Sequence, residues 1–378
     1  IYLYFYFNQT KEERPMKAAV MREYGKPLTI EDIEIAKPQA GEVKVQISAV
    51  GLCHTDISVF HGGFPPPLPV VLGHEGVGVV DEIGIGVTGL KPGDKVLFNA
   101  LVYCGECPNC AKGYYGACFM NGFLMFGGTM RDNTTRLKKG DEVIHSYFCQ
   151  SSFAEYSITH QDFLIKVPQD LDIDKLTPLC CGASSGIGAI FNRAKVWPAA
   201  EVAVLGCGVV GMGAIMAAKL SGATKIIAVD ILDHKLDFAG QFGATHTVNA
   251  SKDNIVDSIR QISDGGVDFA IEAIGKGETI SQSLDALKPG GTSILVGAVP
   301  FGEKATIDPV QLVGEKAIMG SIIGTLKPKY DIPKFIELYR AGQLPIDKLV
   351  QAEYPLDRIN EAITAAEKGE FLKAIIKM

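Results

Sequence analysis

The chain of 378 residues has no apolar run approaching the ~18 residues that a membrane-spanning helix needs, which excludes an ordinary transmembrane segment. It also lacks a basic excess. Its 36 Lys and Arg stand against 43 Asp and Glu, and the formal charge of −7 argues against a nucleic-acid partner. No basic region precedes the apolar opening Ile1-Tyr2-Leu3-Tyr4-Phe5-Tyr6-Phe7, and residues 8–14 follow it in place of a small-residue cleavage site, so a secretory reading is poor. Residues 1–15 are read as an extension to a fold that starts at Met16-Lys17-Ala18-Ala19-Val20. The expected protein is soluble and cytoplasmic. Hydrophobic residues at 47% and charged residues at 21% are globular values, and the length suggests two domains, each able to bury a core.

What the chain does have is glycine at informative places. Gly206-Cys207-Gly208-Val209-Val210-Gly211 lies between the apolar run 202–205 and a stretch rich in Ala, Met and Leu, which predicts strand, tight turn and helix. In that setting the first glycine permits the turn, the second lets backbone approach a pyrophosphate, and the third lets helix pack on strand. The N–H groups of the helix start then face the anion. Forty-two glycines make chance matches easy, and an ordinary glycine turn stays open as an alternative. Lys225-Ile226-Ile227-Ala228-Val229-Asp230 adds a second predicted strand, and its terminal carboxylate stands where an acid would grip an adenosine ribose diol. Further apolar alternation at 266–272 and 290–297 implies repeated strand–helix units and a parallel, doubly wound sheet. Before the fingerprint, residues 16–99 show short alternating runs (41–49, 76–83, 94–98) punctuated by Gly and Pro, which predicts a β-rich region.

Four of the nine cysteines cluster as Cys104-x2-Cys107-x2-Cys110-x7-Cys118. In a chain with no export signal this spacing points to a tetrahedral zinc site and away from disulfides. All four positions come from protein, so the site is expected to be structural. Cys53, His74 and the pair Cys180-Cys181 are dispersed, and each alone reads as an unremarkable core thiol or hydrogen-bonding histidine.

The run Gly73-His74-Glu75-Gly76-Val77-Gly78 resembles the zinc signature of the medium-chain zinc alcohol dehydrogenases. The four-cysteine lobe, Cys181-Gly182-Ala183-Ser184-Ser185-Gly186, the glycine fingerprint and Asp230 then follow in that family's order, over residues 16–378. The resemblance implies an α/β protein in which a β-rich, GroES-like catalytic domain (16–185 and 328–378) flanks a dinucleotide-binding Rossmann domain (186–327). It implies two zinc ions per chain and NAD.

Carried over residue by residue, it makes Cys53, His74 and Cys181 the catalytic zinc ligands, leaving one position for water or the alcohol oxygen. Cys180 competes with Cys181; adjacent side chains in an extended segment point oppositely, and the family motif uses the Cys directly before Gly. Glu75 would lie behind the metal, Asp56 would hold the second nitrogen of His74, and Thr55 would take the substrate proton. His54, Gly206, Gly208, Val209, Val210, Gly211, Asp230, Lys235, Ile274, Val296 and Lys373 match cofactor contacts, with His54 and Lys373 on the pyrophosphate. The relay histidine of liver-type and yeast-type relatives is replaced by Ser58, which is no base near pH 7, so water or His61 would complete the path, although His61 also reads as a surface histidine.

Phe64, Ala100, Phe123, Tyr147, Phe148 and Ala298 match substrate-pocket positions, an apolar and largely aromatic lining. With Ala100 in place of a phenylalanine, this implies a bulky aromatic or allylic primary alcohol as substrate. Gly122 stands where relatives acting on a glutathione adduct carry a basic residue, which counts against such a substrate. The long segment 118–153 resembles the dimeric animal-type branch and implies a homodimer, with a homotetramer as the other assembly. A polyol or amino-alcohol dehydrogenase of the same superfamily would usually replace Cys181 with a carboxylate. A non-catalytic NAD-binding sensor would be expected to lose a ligand or Thr55.

Overall fold

The computed structural model describes residues 15–378. The apolar opening and most of the expected extension therefore lie outside the described residues. Three sheets carry the structure. One is six-stranded and all parallel, in the spatial order His246–Asn249, Lys225–Asp230, Glu201–Leu205, Val267–Glu272, Leu287–Leu295, Ala317–Gly320. Counted along the chain this order is 3-2-1-4-5-6, so it reverses between Glu201–Leu205 and Val267–Glu272 and opens a crevice at their carboxyl ends. Helices cover both faces of such a sheet, so its central strands are apolar throughout. Val202, Ala203, Val204 and Leu205 are fully buried in succession, with Val202 and Val204 in one apolar cluster and Ala203 and Leu205 in another.

The β-rich part holds the other two sheets. Val70–Val71, Met16–Met21, Thr29–Ile35, Leu137–Lys139 and Glu142–Ile144 form one. In the other, Leu164–Lys166, Lys95–Phe98, Gly76–Ile83, Glu42–Gly51, Lys373–Lys377 and Val350–Pro355 lie side by side, and Tyr156–His160 also pairs with Glu42–Gly51. The chain thus returns at its end: Lys373–Lys377 runs antiparallel to Glu42–Gly51, pairing Ile375 with Gly51. That return brings Lys373 beside the Gly51-Leu52-Cys53 segment.

The junction between the two parts is helical. Gly182–Gly188 continues into a wider π-turn, Ala189–Ala194, and packs against Val209–Leu220. Close packing there depends on small residues: a Cβ on Gly186 would come within 1.9 Å of the Val210 carbonyl oxygen. The helix Pro328–Arg340 opens on a proline, which at the first helical position has no N–H to leave unsatisfied.

Candidate functional site

At the junction lies a cleft of about 1570 Å³, lined by residues from both parts of the fold. The glycine fingerprint forms its floor. Gly208 caps the helix Val209–Leu220, and a Cβ added to Gly208 would meet nothing within 4 Å, so the backbone there faces open space. Gly211 faces the strand instead, where a Cβ would lie 1.8 Å from the Gly206 carbonyl oxygen. An anion can therefore approach bare N–H groups at the start of a twelve-residue helix.

Asp230 sits at the end of the neighbouring strand. Its Oδ2 accepts from the Cys207 N–H (2.8 Å), and its Oδ1 accepts from Ile231 (2.8 Å) and Leu232 (3.1 Å), which fixes the carboxylate at the cleft wall. His54, Gly206, Val209, Val210, Lys235, Ile274, Val296 and Ala298 also line the cleft, whereas Gly211 packs behind it.

At the inner end, Cys53, His74, Glu75 and Cys181 bring one ligand atom each to within 4.8 Å of one another. These residues come from the turn before the helix His54–Phe60, the turn before the strand Gly76–Ile83, and the start of the helix Gly182–Gly188. Asp56 ties them together. Its Oδ2 accepts from the Cys53 N–H at 3.1 Å, closing the helix start, while its Oδ1 lies 2.9 Å from His74 Nδ1. His74 is further fixed by Phe148, stacked at 4.5 Å, and by the edge of Tyr147 at 5.7 Å. Its Nε2 is thereby aimed at the thiols, buried and without a hydrogen-bond partner, as is Glu75 Oε1.

Two thiols and two orphaned buried acceptors gathered at one end of the cleft have the donor set of a zinc site with an open side. The hydrogen bond between the two thiols holds Cys53 well below the usual thiol range and pushes Cys181 well above it. Burial pushes the Glu75 carboxyl up to about 7, against the pull of Lys373.

Cys181, not Cys180, joins the cluster; the Cys180 thiol donates to the Gly76 carbonyl at 3.4 Å. The two diverge although the segment is not extended, since Asp174–Cys180 is a 3₁₀-helix and Cys181 has φ −146° and ψ −78° at the helix junction.

The second cluster sits on a surface lobe. Cys104, Cys107, Cys110 and Cys118 gather there, with Sγ separations of 3.5 Å for Cys107 and Cys110, 3.5 Å for Cys104 and Cys118, and 3.9 Å for Cys104 and Cys110. A tetrahedron with Zn–S bonds of about 2.3 Å has S–S edges of about 3.8 Å. N–H groups of Cys110 and Phe119 hold the Cys107 thiol down to about 6, as a site for thiolates requires, while burial pushes Cys110 up to about 12.

Several expected contacts are placed differently. Lys373 is buried and turns its ammonium inward, donating to Glu75 Oε2 at 2.6 Å and to the Leu52 carbonyl at 3.1 Å. A cation largely out of water takes the nearest carboxylate, and Lys373 at the same time lines the cleft. Of the pocket positions, only Phe64, Phe148 and Ala298 line the cleft. Ala100 is fully buried against Cys180, its N–H bonded to that carbonyl at 2.9 Å. Tyr147 lies one layer deeper, packed on Phe148 at 4.7 Å, and Phe123 points outward, 43% exposed.

The wall is completed by residues that local patterns did not mark: Met125, Phe126, Phe301 and Ile322. Phe126 stacks on Phe64 at 5.2 Å, and Phe301 meets Phe64 edge-on at 5.1 Å. Thr55 and Ser58 face the cleft from one side of the helix His54–Phe60. His61 does not, and bonds Glu367 at 2.5 Å outside.

Comparison with known proteins agrees with this geometry. Residues 39–169 match the alcohol dehydrogenase GroES-like domain, and residues 209–341 match the zinc-binding dehydrogenase family. The chain is 39% identical over 368 residues to an alcohol dehydrogenase class-3 of Drosophila melanogaster, covering 96% of this chain and 97% of that one. Among solved structures, an alcohol dehydrogenase zinc-binding domain protein from Burkholderia ambifaria superposes with TM-score 0.93 at 42% identity, over 97% of this chain and 99% of that one. Benzyl alcohol dehydrogenase from Acinetobacter calcoaceticus superposes with TM-score 0.92 at 40% identity and the same coverage.

Proposed function

The chain belongs to the medium-chain zinc-dependent alcohol dehydrogenases, and from that premise we propose that it interconverts a bulky apolar primary alcohol, aromatic or allylic, and its aldehyde with NAD. The observation that carries the substrate class is the row of rings that runs outward from His74 through Phe148, Phe126 and Phe64 to the exposed Phe301, which offers ring faces and little to hydrogen-bond a polar chain. The similarity to a benzyl alcohol dehydrogenase supports the same reading. With Ala100 out of the wall, the breadth of the pocket rests on these rings.

Cys53, His74 and Cys181 would hold the catalytic zinc, Glu75 would back it, and the four-cysteine lobe would hold a second, structural zinc. Bound in the cleft, zinc supplies positive charge that makes an alcohol oxygen give up its proton, and the nicotinamide supplies a hydride acceptor. The chain does the rest. Asp56 keeps a proton on His74 Nδ1 and so leaves Nε2 as the donor. Thr55 Oγ1 accepts the substrate proton as it gives up its own toward Ser58, on the same side of the helix, and from there to water. His61 takes no part, being paired with Glu367.

The fixed carboxylate of Asp230 favours a ribose diol and repels a 2′-phosphate, which underlies the proposed preference for NAD over NADP. Nine free thiols fit a reducing cytoplasm. The proposed assembly is a homodimer: Val310 and Val313 stand exposed near the open edge of the strand Ala317–Gly320.

Steady-state assays with benzyl alcohol and ethanol, each with NAD and NADP, test this reading. Burying a ring instead of a methyl adds roughly 2–3 kcal/mol, so benzyl alcohol should lead ethanol in kcat/KM by about two decades. NAD should lead NADP by a similar margin. Equal efficiency with ethanol would overturn the substrate class, and a lead for NADP would overturn the role given to Asp230.

A further inference from the structure

Glu272 ends the strand Val267–Glu272 at the crevice and is fully buried, yet it is neither a metal ligand nor part of the cleft surface. Its hydrogen bonds run to both loops that edge the cleft there. Its carboxylate Oε1 accepts from the N–H of Ile274 (2.9 Å), the N–H of Gly275 (2.8 Å) and the hydroxyl of Thr279 (2.8 Å). Its main-chain carbonyl accepts from the N–H groups of Val296 (2.8 Å) and Gly297 (3.0 Å). These loops also press on one another, since a Cβ on Gly297 would lie 2.3 Å from the Gly275 nitrogen. Ile274, Val296 and Ala298 line the cleft on this side, and the adenosine-side residues Asp230 and Lys235 belong to a different strand and helix.

We propose that Glu272 is a positioning residue that fixes the Ile274 and Val296–Ala298 loops as the seat of the nicotinamide half of the cofactor. The assignment rests on the dinucleotide reading above. A side chain is needed because neither loop continues the sheet at this point, and the N–H groups of the buried Gly275 and of the cleft-lining Ile274 would otherwise have no protein acceptor. The carboxylate replaces the missing strand partner with one oxygen facing three donors. Main-chain bonds to Val296 and Gly297 survive any substitution at Glu272, so removal of the side chain should loosen the Ile274 loop first.

The test compares two ligands that share the adenosine half, NAD and ADP, which lacks the nicotinamide riboside, by calorimetric titration of the zinc-loaded protein. In Glu272→Ala two or three donors lose their acceptor, so NAD should bind about tenfold more weakly while ADP binding changes less than about twofold. Glu272→Gln retains an acceptor oxygen and should recover NAD affinity to within about threefold. Thr279→Val, which removes a single donor, should weaken NAD alone by about two- to threefold, and it carries the test if Glu272→Ala fails to fold. Equal weakening of both ligands, or no change for either, would overturn the assignment. Failure of the unmodified protein to bind either ligand would instead overturn the dinucleotide reading itself.

Discussion

The two ligand clusters of this molecule are built from similar atoms by opposite means. The lobe cluster takes four thiols from one short loop, and its members are satisfied by N–H groups of that same loop, such as the Cys104 N–H on Cys118 Sγ at 3.2 Å. The cleft cluster draws Cys53, His74 and Cys181 from three separate turns and depends on residues elsewhere to orient them: Asp56 on His74, Lys373 on Glu75, Phe148 against the imidazole ring. The lobe surrounds its centre with protein on four sides, while the cleft site opens on the wall of rings. A closed cluster can stabilise a loop, whereas only an open one leaves room for a substrate oxygen.

Exchanging one ligand in each cluster should separate these roles. Cys181→Ala is expected to lower kcat/KM by at least ~10³-fold and to leave the circular dichroism spectrum and melting temperature nearly unchanged. Cys107→Ala should act chiefly on stability, lowering the melting temperature by about 5 °C or more, because the lobe's loop has little core of its own. If both variants lost activity and stability in parallel, the division between the clusters would fail.

Asp56→Asn sharpens the contrast at smaller scale. It keeps size and polarity but disturbs the bond at His74 Nδ1, and competition with a chelator should show zinc at the cleft held about 10- to 100-fold more weakly, with the lobe ion unaffected. Equal loss from both sites would show that Asp56 acts through the fold as a whole.

Phe64→Ala tests the open side. It removes a ring that stacks on Phe126 and meets Phe301, and should reduce the benzyl-over-ethanol preference about tenfold, read as the ratio of kcat/KM values. An unchanged ratio would remove Phe64 from the specificity account.

The smallest effect lies outside both clusters and serves as their control. Hydrogen bonding to Arg22 holds the Glu31 carboxyl down from 4.5 to about 2. Because this pKa is depressed in the folded state, its stabilisation is present above about 4.5 and is lost as pH falls through about 2. Arg22 is partly exposed, so screening leaves about 1 kcal/mol. Glu31→Gln should flatten the acid limb of denaturant-unfolding stability by that amount without altering kcat/KM at neutral pH.

The same contrast explains what the sequence makes legible. Cys104 to Cys118 and Gly206 to Gly211 carry their function in local spacing, so four thiols and one glycine turn can be read directly. Cys53, His74 and Cys181 have no local signal and are recognisable only through likeness to a family. The parallel sheet follows from its buried apolar strands, and the return of residues 328–378 to the first domain from family likeness, while the pairing of Lys373–Lys377 with Glu42–Gly51 comes from the structure.

Side-chain direction is where reading by likeness falls short. Ala100, Phe123 and Tyr147 occupy matched positions, yet the first is buried behind the wall, the second turns to solvent and the third packs one layer down. Lys373 is turned by a carboxylate that is 298 residues away in sequence. Phe126 reaches the cleft from the end of the helix Asn121–Phe126 and Phe301 from a turn far along the chain, and Glu272 reads from sequence as no more than the last residue of a strand.

Zinc stoichiometry tests the central claim most directly. Elemental analysis of active, undialysed protein should find two zinc ions per chain, and Cys181→Ala should contain one while melting at nearly the same temperature. One zinc or none in the active, unmodified protein would contradict the account.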